Sequence, residues 1–277
     1  MQPLVRQIGI MQGRLSPPVD GRIQAFPKTT WREEFAKAQA CGLDLIEWIF
    51  EADEWEKNPL FSEPQEVRRL SRHHGVSVVS LCADYFMDLP VIRVSKADQE
   101  IRVDMLKKVI ERAGQLGVTY LGIPFVDASA IKTDEELGEV ARCLRGCLPL
   151  AERAGVQLAL ETSLGPPMFT ELLARLDHPS VKVNYDIGNS ASLGYDTREE
   201  IEAYGKRIAT IHVKDRKRGG GTVPLGTGDA DFDATFAALA GAGYQGPFIL
   251  QAARDGEETL LAERNVQFVR RYLEKYF

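Results

Sequence analysis

The chain has 277 residues, 44% of them hydrophobic and 27% charged. That composition excludes a small disulfide scaffold and a disordered segment, and the length is one that α/β barrels fill as a single domain, here 1–277. A formal net charge of −6 supplies no positive field, so nucleic acid is not an expected partner. No apolar run reaches the length of a membrane span and no secretory leader pattern opens the chain, so no membrane association is expected either. The four cysteines, Cys41, Cys82, Cys143 and Cys147, lack paired C-x-x-C spacing and read as reduced, structural thiols in a cytoplasmic protein.

Taken in order, the chain repeats one punctuation mark: a helical pattern, a glycine, then a short apolar run. A strand-like stretch at 6–11 leads into a segment at 16–30 rich in Pro and Gly. Helical periodicity over 31–40, with Phe35 and Ala38 on one face, reaches Gly42 before the run 43–48. His73-His74-Gly75 precedes 76–82. The helical patterns 101–116 and 137–154 reach Gly117 and Gly155, before the runs 118–124 and 156–161. Further strand-like stretches lie at 181–186 and 208–213, and a loop at 214–231 holds three consecutive glycines, Gly219 to Gly221. Gly241-Ala242-Gly243 then precedes 244–251.

Glycine just past a helix end takes the left-handed conformation that closes the helix, and the short apolar runs that follow read as strands buried on both faces. Eight strands alternating with helices predict an α/β fold with a parallel sheet, and in a chain of this length a single closed (β/α)8 TIM barrel. No Gly-x-Gly-x-x-Gly follows the first strand, which counts against a dinucleotide-binding sheet. The segments 16–30 and 214–231 both follow strands and are expected to be mobile on the face where a barrel carries its site.

The ends of the strands therefore become the test. The first ends near Gln12 and Arg14, the second at Glu47, the fifth at Glu161, the sixth at Asp186, the seventh at His212 and the eighth at Gln251. A carboxylate emerging from an apolar strand is costly unless its charge is compensated. Two carboxylates and an imidazole converging on one mouth suit one divalent cation, Mn, Zn, Co or Mg. His212 is the most telling of the three: of the four histidines, His73 and His74 end a helix and His178 lies in a loop. Lys214 with Arg216, Lys217 and Arg218, and separately Arg14, are candidates for an oxyanion on the substrate. Lys214 and Asp215, directly after His212, are the better placed members of the loop. Asn189 is a candidate sugar contact. Trp31, Trp48, Tyr85 and Phe86 read either as stacking surfaces for a sugar or as packing.

At these residues the sequence resembles the xylose isomerase-like barrel superfamily, in its sugar-phosphate isomerase and epimerase branch. The resemblance is carried by Leu158-Ala159-Leu160-Glu161, by Val183-Asn184-Tyr185-Asp186-Ile187-Gly188-Asn189, by Ile211-His212-Val213-Lys214-Asp215, and by Val223-Pro224-Leu225-Gly226-Thr227-Gly228 with Asp231-Phe232. It implies Glu161, Asp186, His212 and the residue at 251 as metal ligands, with Glu161 also the base. It also implies Lewis-acid stabilisation of an enediolate formed from a ketose or ketose phosphate. The relatives carry Glu where this chain has Gln251, and an amide cannot exchange a proton as a carboxylate does.

Three readings follow. Glu47 supplies the second acid or base, or one base suffices, as in a dehydratase or lyase acting on a polyol or keto acid, or the barrel binds a sugar without turning it over. The same barrel also serves DNA-repair endonucleases, which use three metals, more histidines and a basic face. Four histidines and an acidic chain do not match that pattern. Dimers and tetramers are common among the relatives, so a homo-oligomer is expected, with no feature of the sequence identifying its interface.

Overall fold

The computed structural model describes residues 6–277; the expected absence of a leader concerns residues 1–5 and lies outside them. Eight parallel strands close on themselves: β1 (Ile8–Met11), β2 (Leu45–Ile49), β3 (Ser77–Cys82), β4 (Tyr120–Phe125), β5 (Gln157–Thr162), β6 (Val181–Asp186), β7 (Ile208–Val213) and β8 (Phe248–Leu250). Each pairs with the next, and β1 pairs with β8 through Ile8↔Phe248, Gly9↔Ile249 and Ile10↔Leu250. β1, β2, β7 and β8 are buried at every residue, as expected where one face of a strand meets the barrel interior and the other meets helices.

The five glycines at the helix-to-strand joints, Gly42, Gly75, Gly117, Gly155 and Gly243, all have φ between 67° and 82°. They reverse the chain from helix into strand at the bottom of the barrel. Register then places the strand tops: Asp186 pairs with His212, His212 with Ile249, and Glu161 with Pro124.

Three boundaries differ from the sequence expectation. Arg6 has φ 70° and so does not extend the first strand. The helical pattern 137–154 is two helices, Asp134–Arg145 and Leu148–Ala154, because Pro149 has no N–H for a continuous helix and starts a new one instead. The last strand begins only at Phe248, since Pro247 cannot donate to a ladder and Tyr244 Oη instead donates to its carbonyl, 2.7 Å away.

The two segments expected to be mobile are tied to the barrel. In the first, Glu51 accepts from Phe26 N at 2.6 Å, and just before it Glu34 accepts from Gly13 N at 2.9 Å and Leu15 N at 3.2 Å. In the second, a short antiparallel hairpin pairs Asp215–Arg216 with Thr222–Val223. Trp31, Trp48, Tyr85 and Phe86 are all buried. Trp48 packs edge-on to Trp31, with ring centroids 5.5 Å apart, and its Nε1 donates to Asn58 Oδ1 at 2.9 Å. These aromatics are packing rather than sugar-stacking surfaces. The four cysteines are free and buried.

Candidate metal centre

At the C-terminal end of the barrel, one ligand atom each from Glu161, Asp186 and His212 lies within 4.8 Å of the others, and all three residues are buried. Their elements explain the convergence. Asp186 ends β6 and caps the helix that follows, its Oδ1 accepting from Asn189 N at 2.8 Å. Its Oδ2 is left facing Lys214 Nζ at 3.2 Å and His212 Nδ1 at 3.9 Å. His212, on the neighbouring strand, turns Nδ1 to Glu161 Oε2 at 3.4 Å.

Asn184 fixes the carboxylate between them. Thr210 Oγ1 donates to Asn184 Oδ1 at 2.9 Å, so the amide NH2 must face Glu161 Oε2, 3.0 Å away. Asn189 Nδ2 donates to the other oxygen of Glu161 at 2.8 Å and Asn189 Oδ1 accepts from Arg216 at 2.8 Å.

Glu47 departs from its expected place. Its Oε2 lies 2.7 Å from His212 Nε2, and its Oε1 accepts from Ser80 Oγ at 2.7 Å. Both oxygens therefore have partners, one of them the imidazole. Burial alone would lower the pKa of His212. The facing carboxylates of Glu47 and Glu161 outweigh it and push the value well above the usual imidazole range.

Gln251 follows β8 and is 5% exposed. Its Nε2 donates to Gln24 Oε1 at 2.9 Å, while its Oε1 is buried with no hydrogen-bond partner. The direction of this amide is dictated from a distance. Gln24 Nε2 donates to Asp84 Oδ2 at 2.7 Å, and an ionised carboxylate only accepts, so Gln24 must present its oxygen to Gln251 and Gln251 its nitrogen to Gln24. The orphaned oxygen is the mark of a polar group built for a further partner. The three clustered ligand atoms, one imidazole nitrogen and two carboxylate oxygens, are of the kinds that suit a divalent cation, and Gln251 offers a neutral oxygen of a compatible kind.

A cavity of about 630 Å³ reaches Glu161 and Gln251. Glu161, Gln251, Asn189 and Lys214 line it, together with Arg22, Gln24, Glu51, Asp84 and Arg216. A larger cleft of about 1050 Å³ lies between the helices Thr197–Tyr204 and Phe232–Gly241, and none of the predicted residues line it.

Two other expected substrate contacts are not brought into the cavity. Arg14 is buried, and its guanidinium is spent on the Ala252 and Ile23 carbonyls and on Gln24 Oε1 at 3.5 Å. Burial and the nearby Arg254 lower its pKa to about 10. Asp215 accepts from Gly226 N at 2.9 Å, Gly228 N at 2.8 Å and Ala230 N at 3.2 Å, which makes it the anchor of its own loop.

Asn184, Gln24 and Asp84 were missing from the sequence-level site. Asp84 follows β3 by two residues, a position that the strand-end rule, applied to the third strand, could have found. Gln24 lies on a loop and carries no such signal.

The Xylose isomerase-like TIM barrel family model matches residues 35–272. An L-ribulose-5-phosphate 3-epimerase UlaE from Salmonella paratyphi C is 28% identical over 247 residues, covering 84% of this chain and 86% of that protein. A solved L-ribulose 3-epimerase superposes with a TM-score of 0.79 at 19% identity, over 98% of this chain and 95% of its own. The IOLI protein, solved with a binding zinc atom, gives 0.77 at 18% identity, over 98% and 99%. With eight parallel strands closed into a barrel and its polar residues gathered at their C-terminal ends, the chain belongs to the xylose isomerase-like TIM-barrel family.

Proposed function

We propose that this enzyme is a divalent-metal-dependent epimerase or isomerase of a ketose or ketose phosphate, working through an enediolate. The observation that carries the reading is the buried cluster of Glu161, Asp186 and His212; Gln251, with an unpartnered oxygen, lines the same cavity as Glu161. The similarity to ketose 3-epimerases supports the substrate class.

In this reading Glu161, Asp186, His212 and Gln251 Oε1 hold the cation, which is Mn, Zn, Co or Mg. When bound it supplies Lewis-acid stabilisation for the negative oxygens of the enediolate. Glu161 is also the base, its carboxylate steered by Asn184 and Asn189. Asn189 and Lys214 stand at the cavity wall to receive substrate oxygens. Arg216 is better suited to a phosphate: it lines the cavity, and among the described residues its three nitrogens meet only the Asn189 and Gly220 oxygens, with no carboxylate partner. Gln251, which cannot exchange protons, favours a second reading, loss of water from a polyol or keto acid with a single base.

The test is to incubate the metal-supplied protein with a panel of ketoses and ketose phosphates in deuterated water, following carbon-bound exchange by NMR. Deuterium entering beside the carbonyl with the carbon skeleton and every hydroxyl retained supports epimerisation or isomerisation. Loss of a hydroxyl supports the lyase. No exchange and no product with any of them, from protein shown to carry metal, would sink both.

A further inference from the structure

Gln251 takes away the carboxylate expected on β8, and Glu47, bonded to His212, is not among the residues that line the cavity. If the enzyme inverts a carbon centre, a second group must reach that carbon from a direction other than that of Glu161. The cavity has three buried carboxylates in its wall, those of Glu51, Asp84 and Glu161. Glu51 is neutralised by Arg22 at 2.9 Å and holds Phe26 N. Asp84 has no Lys or Arg partner among the described residues. Its contacts are the Gln24 amide and the Cys82 thiol, which donates to Oδ1 at 3.1 Å. It stands just after β3, two strands round the barrel from Glu161 on β5, and both line the same cavity, so a substrate held there can meet carboxyl groups from two directions.

We infer that Asp84 is the second proton-transfer residue of this site, displaced from β8 to β3, and that the reaction is an epimerisation beside a ketose carbonyl. The inference rests on the enediolate reading above. Glu161 takes the proton from the carbon next to the carbonyl; that C–H bond breaks, its electron pair becomes the C=C of the enediolate, and the C=O π pair moves onto the carbonyl oxygen, to return when the carbonyl is restored. Asp84, in its acid form, gives its proton to the other face of the same carbon. The C=C pair forms the new C–H bond and the C=O is restored with inverted configuration. Glu161 then holds a proton that Asp84 has lost, and exchange with cavity water resets both.

The surroundings suit this task. Burial, with Glu51 and Glu161 nearby, raises the Asp84 carboxyl to about 6 against the opposing bonds from Gln24 and Cys82, so both protonation states are accessible near neutrality. The Cys82 thiol is pushed well above its usual value by burial and by the Asp84, Glu47 and Glu161 carboxylates, which leaves it a donor to Asp84 and not a competing base.

The experiment measures inversion and solvent-deuterium exchange separately, on whichever ketose the Mn²⁺-supplied parent turns over. Asp84→Asn is expected to lower inversion by about 10²-fold or more, the usual contribution of a positioned acid or base. Exchange without inversion, which needs only Glu161, should stay within about 10-fold of the parent. Inversion at the parental rate overturns the inference. So does equal loss of both rates in a variant shown to be folded by circular dichroism. If Asn at this position prevents folding, Asp84→Glu is read by the same ratio: moving the carboxyl should lower inversion relative to exchange, and an unchanged ratio overturns the assignment. A parent that neither exchanges nor inverts any ketose fails at the underlying reading, and the role of Asp84 falls with it.

Discussion

His212 Nε2 lies 2.7 Å from Glu47 Oε2, a contact that crosses the barrel from β7 to β2. A carboxylate at that nitrogen holds the N–H there, so Nδ1, the nitrogen facing Glu161 and Asp186, is the one that would give up its proton to bind a cation. Glu47→Gln keeps the shape and removes the charge. We expect divalent-metal affinity to fall by about 10- to 100-fold, the range typical of such supporting carboxylates. Ser80→Ala, which loosens Glu47 without touching the imidazole, should cost less. Competition against a chelator of known affinity reads both without any substrate, and parental affinity in Glu47→Gln would show that the contact does not set the tautomer.

The amide chain from Asp84 through Gln24 to Gln251 makes Gln251→Glu a structural problem as well as a catalytic one. With Asp84 ionised at pH 8, Gln24 presents its oxygen to position 251, where a carboxylate would be an acceptor facing an acceptor. We expect the metal-free variant to lose about 1–3 kcal/mol, the penalty for a buried polar group left unpaired. Added Mn²⁺ should restore more stability to the variant than to the parent, because the new charge faces the cation. Urea midpoints with and without Mn²⁺ decide it; equal midpoints for the metal-free proteins would mean that Gln24 turns over at no cost.

The sequence made the barrel and the triad legible for the same reason: both are written in strand positions. An apolar run of fixed length ending in Glu161, Asp186 or His212 states where the residue stands, and barrel closure then brings neighbouring strand ends together. Closure also carries Glu47 across to His212, and that pairing was not legible, because strand order says which residues reach the mouth but not which side chains meet across the axis. Gln24 was hidden for a different reason. It belongs to a loop whose path is set by long-range anchors, Glu34, Glu51 and Asp84, each distant in sequence. The same holds for Asp215, where a charged residue next to His212 invited a functional reading and the structure spends it on three backbone amides.

Glu34 gives the fold a pH dependence of definite sign. Burial raises its carboxyl from 4.5 to about 7, against the opposing bonds from Gly13, Ser16 and Leu15. The folded value exceeds the unfolded one, so the folded protein keeps a proton that the unfolded chain releases. The associated stability is fully present below pH 4.5 and is lost as pH rises through 7, to the extent of about 3 kcal/mol. Asp84, raised from 3.8 to about 6, adds a loss of the same sign at lower pH. Glu34→Gln retains an oxygen for Gly13 and Leu15 and removes the titration. Urea midpoints of the parent should fall between pH 4.5 and 8 and those of the variant should fall less; identical profiles would show that Glu34 titrates alike in the folded and unfolded chains.

Asp215 closes the loop that carries Arg216 to the cavity, and its fit leaves no spare room: a Cβ on Gly228 would sit 1.9 Å from Asp215 Oδ1. Asp215→Ala leaves the amides of Gly226, Gly228 and Ala230 without their acceptor. Water can replace part of that loss once the loop opens, so we expect about 2 kcal/mol of destabilisation, the cost of roughly one to two unmade bonds. The larger effect should be local. Limited proteolysis is expected to cut the variant within 217–230 well before the parent, and KM should rise more than kcat falls, since Arg216 and Asn189 lose their support while Glu161, Asp186 and His212 remain on their strands. Asp215→Asn, which can keep one oxygen on Gly226 N and Gly228 N, should lie between the two. A variant Asp215→Ala that resists protease as the parent does would mean that the hairpin 215–223 holds the loop unaided.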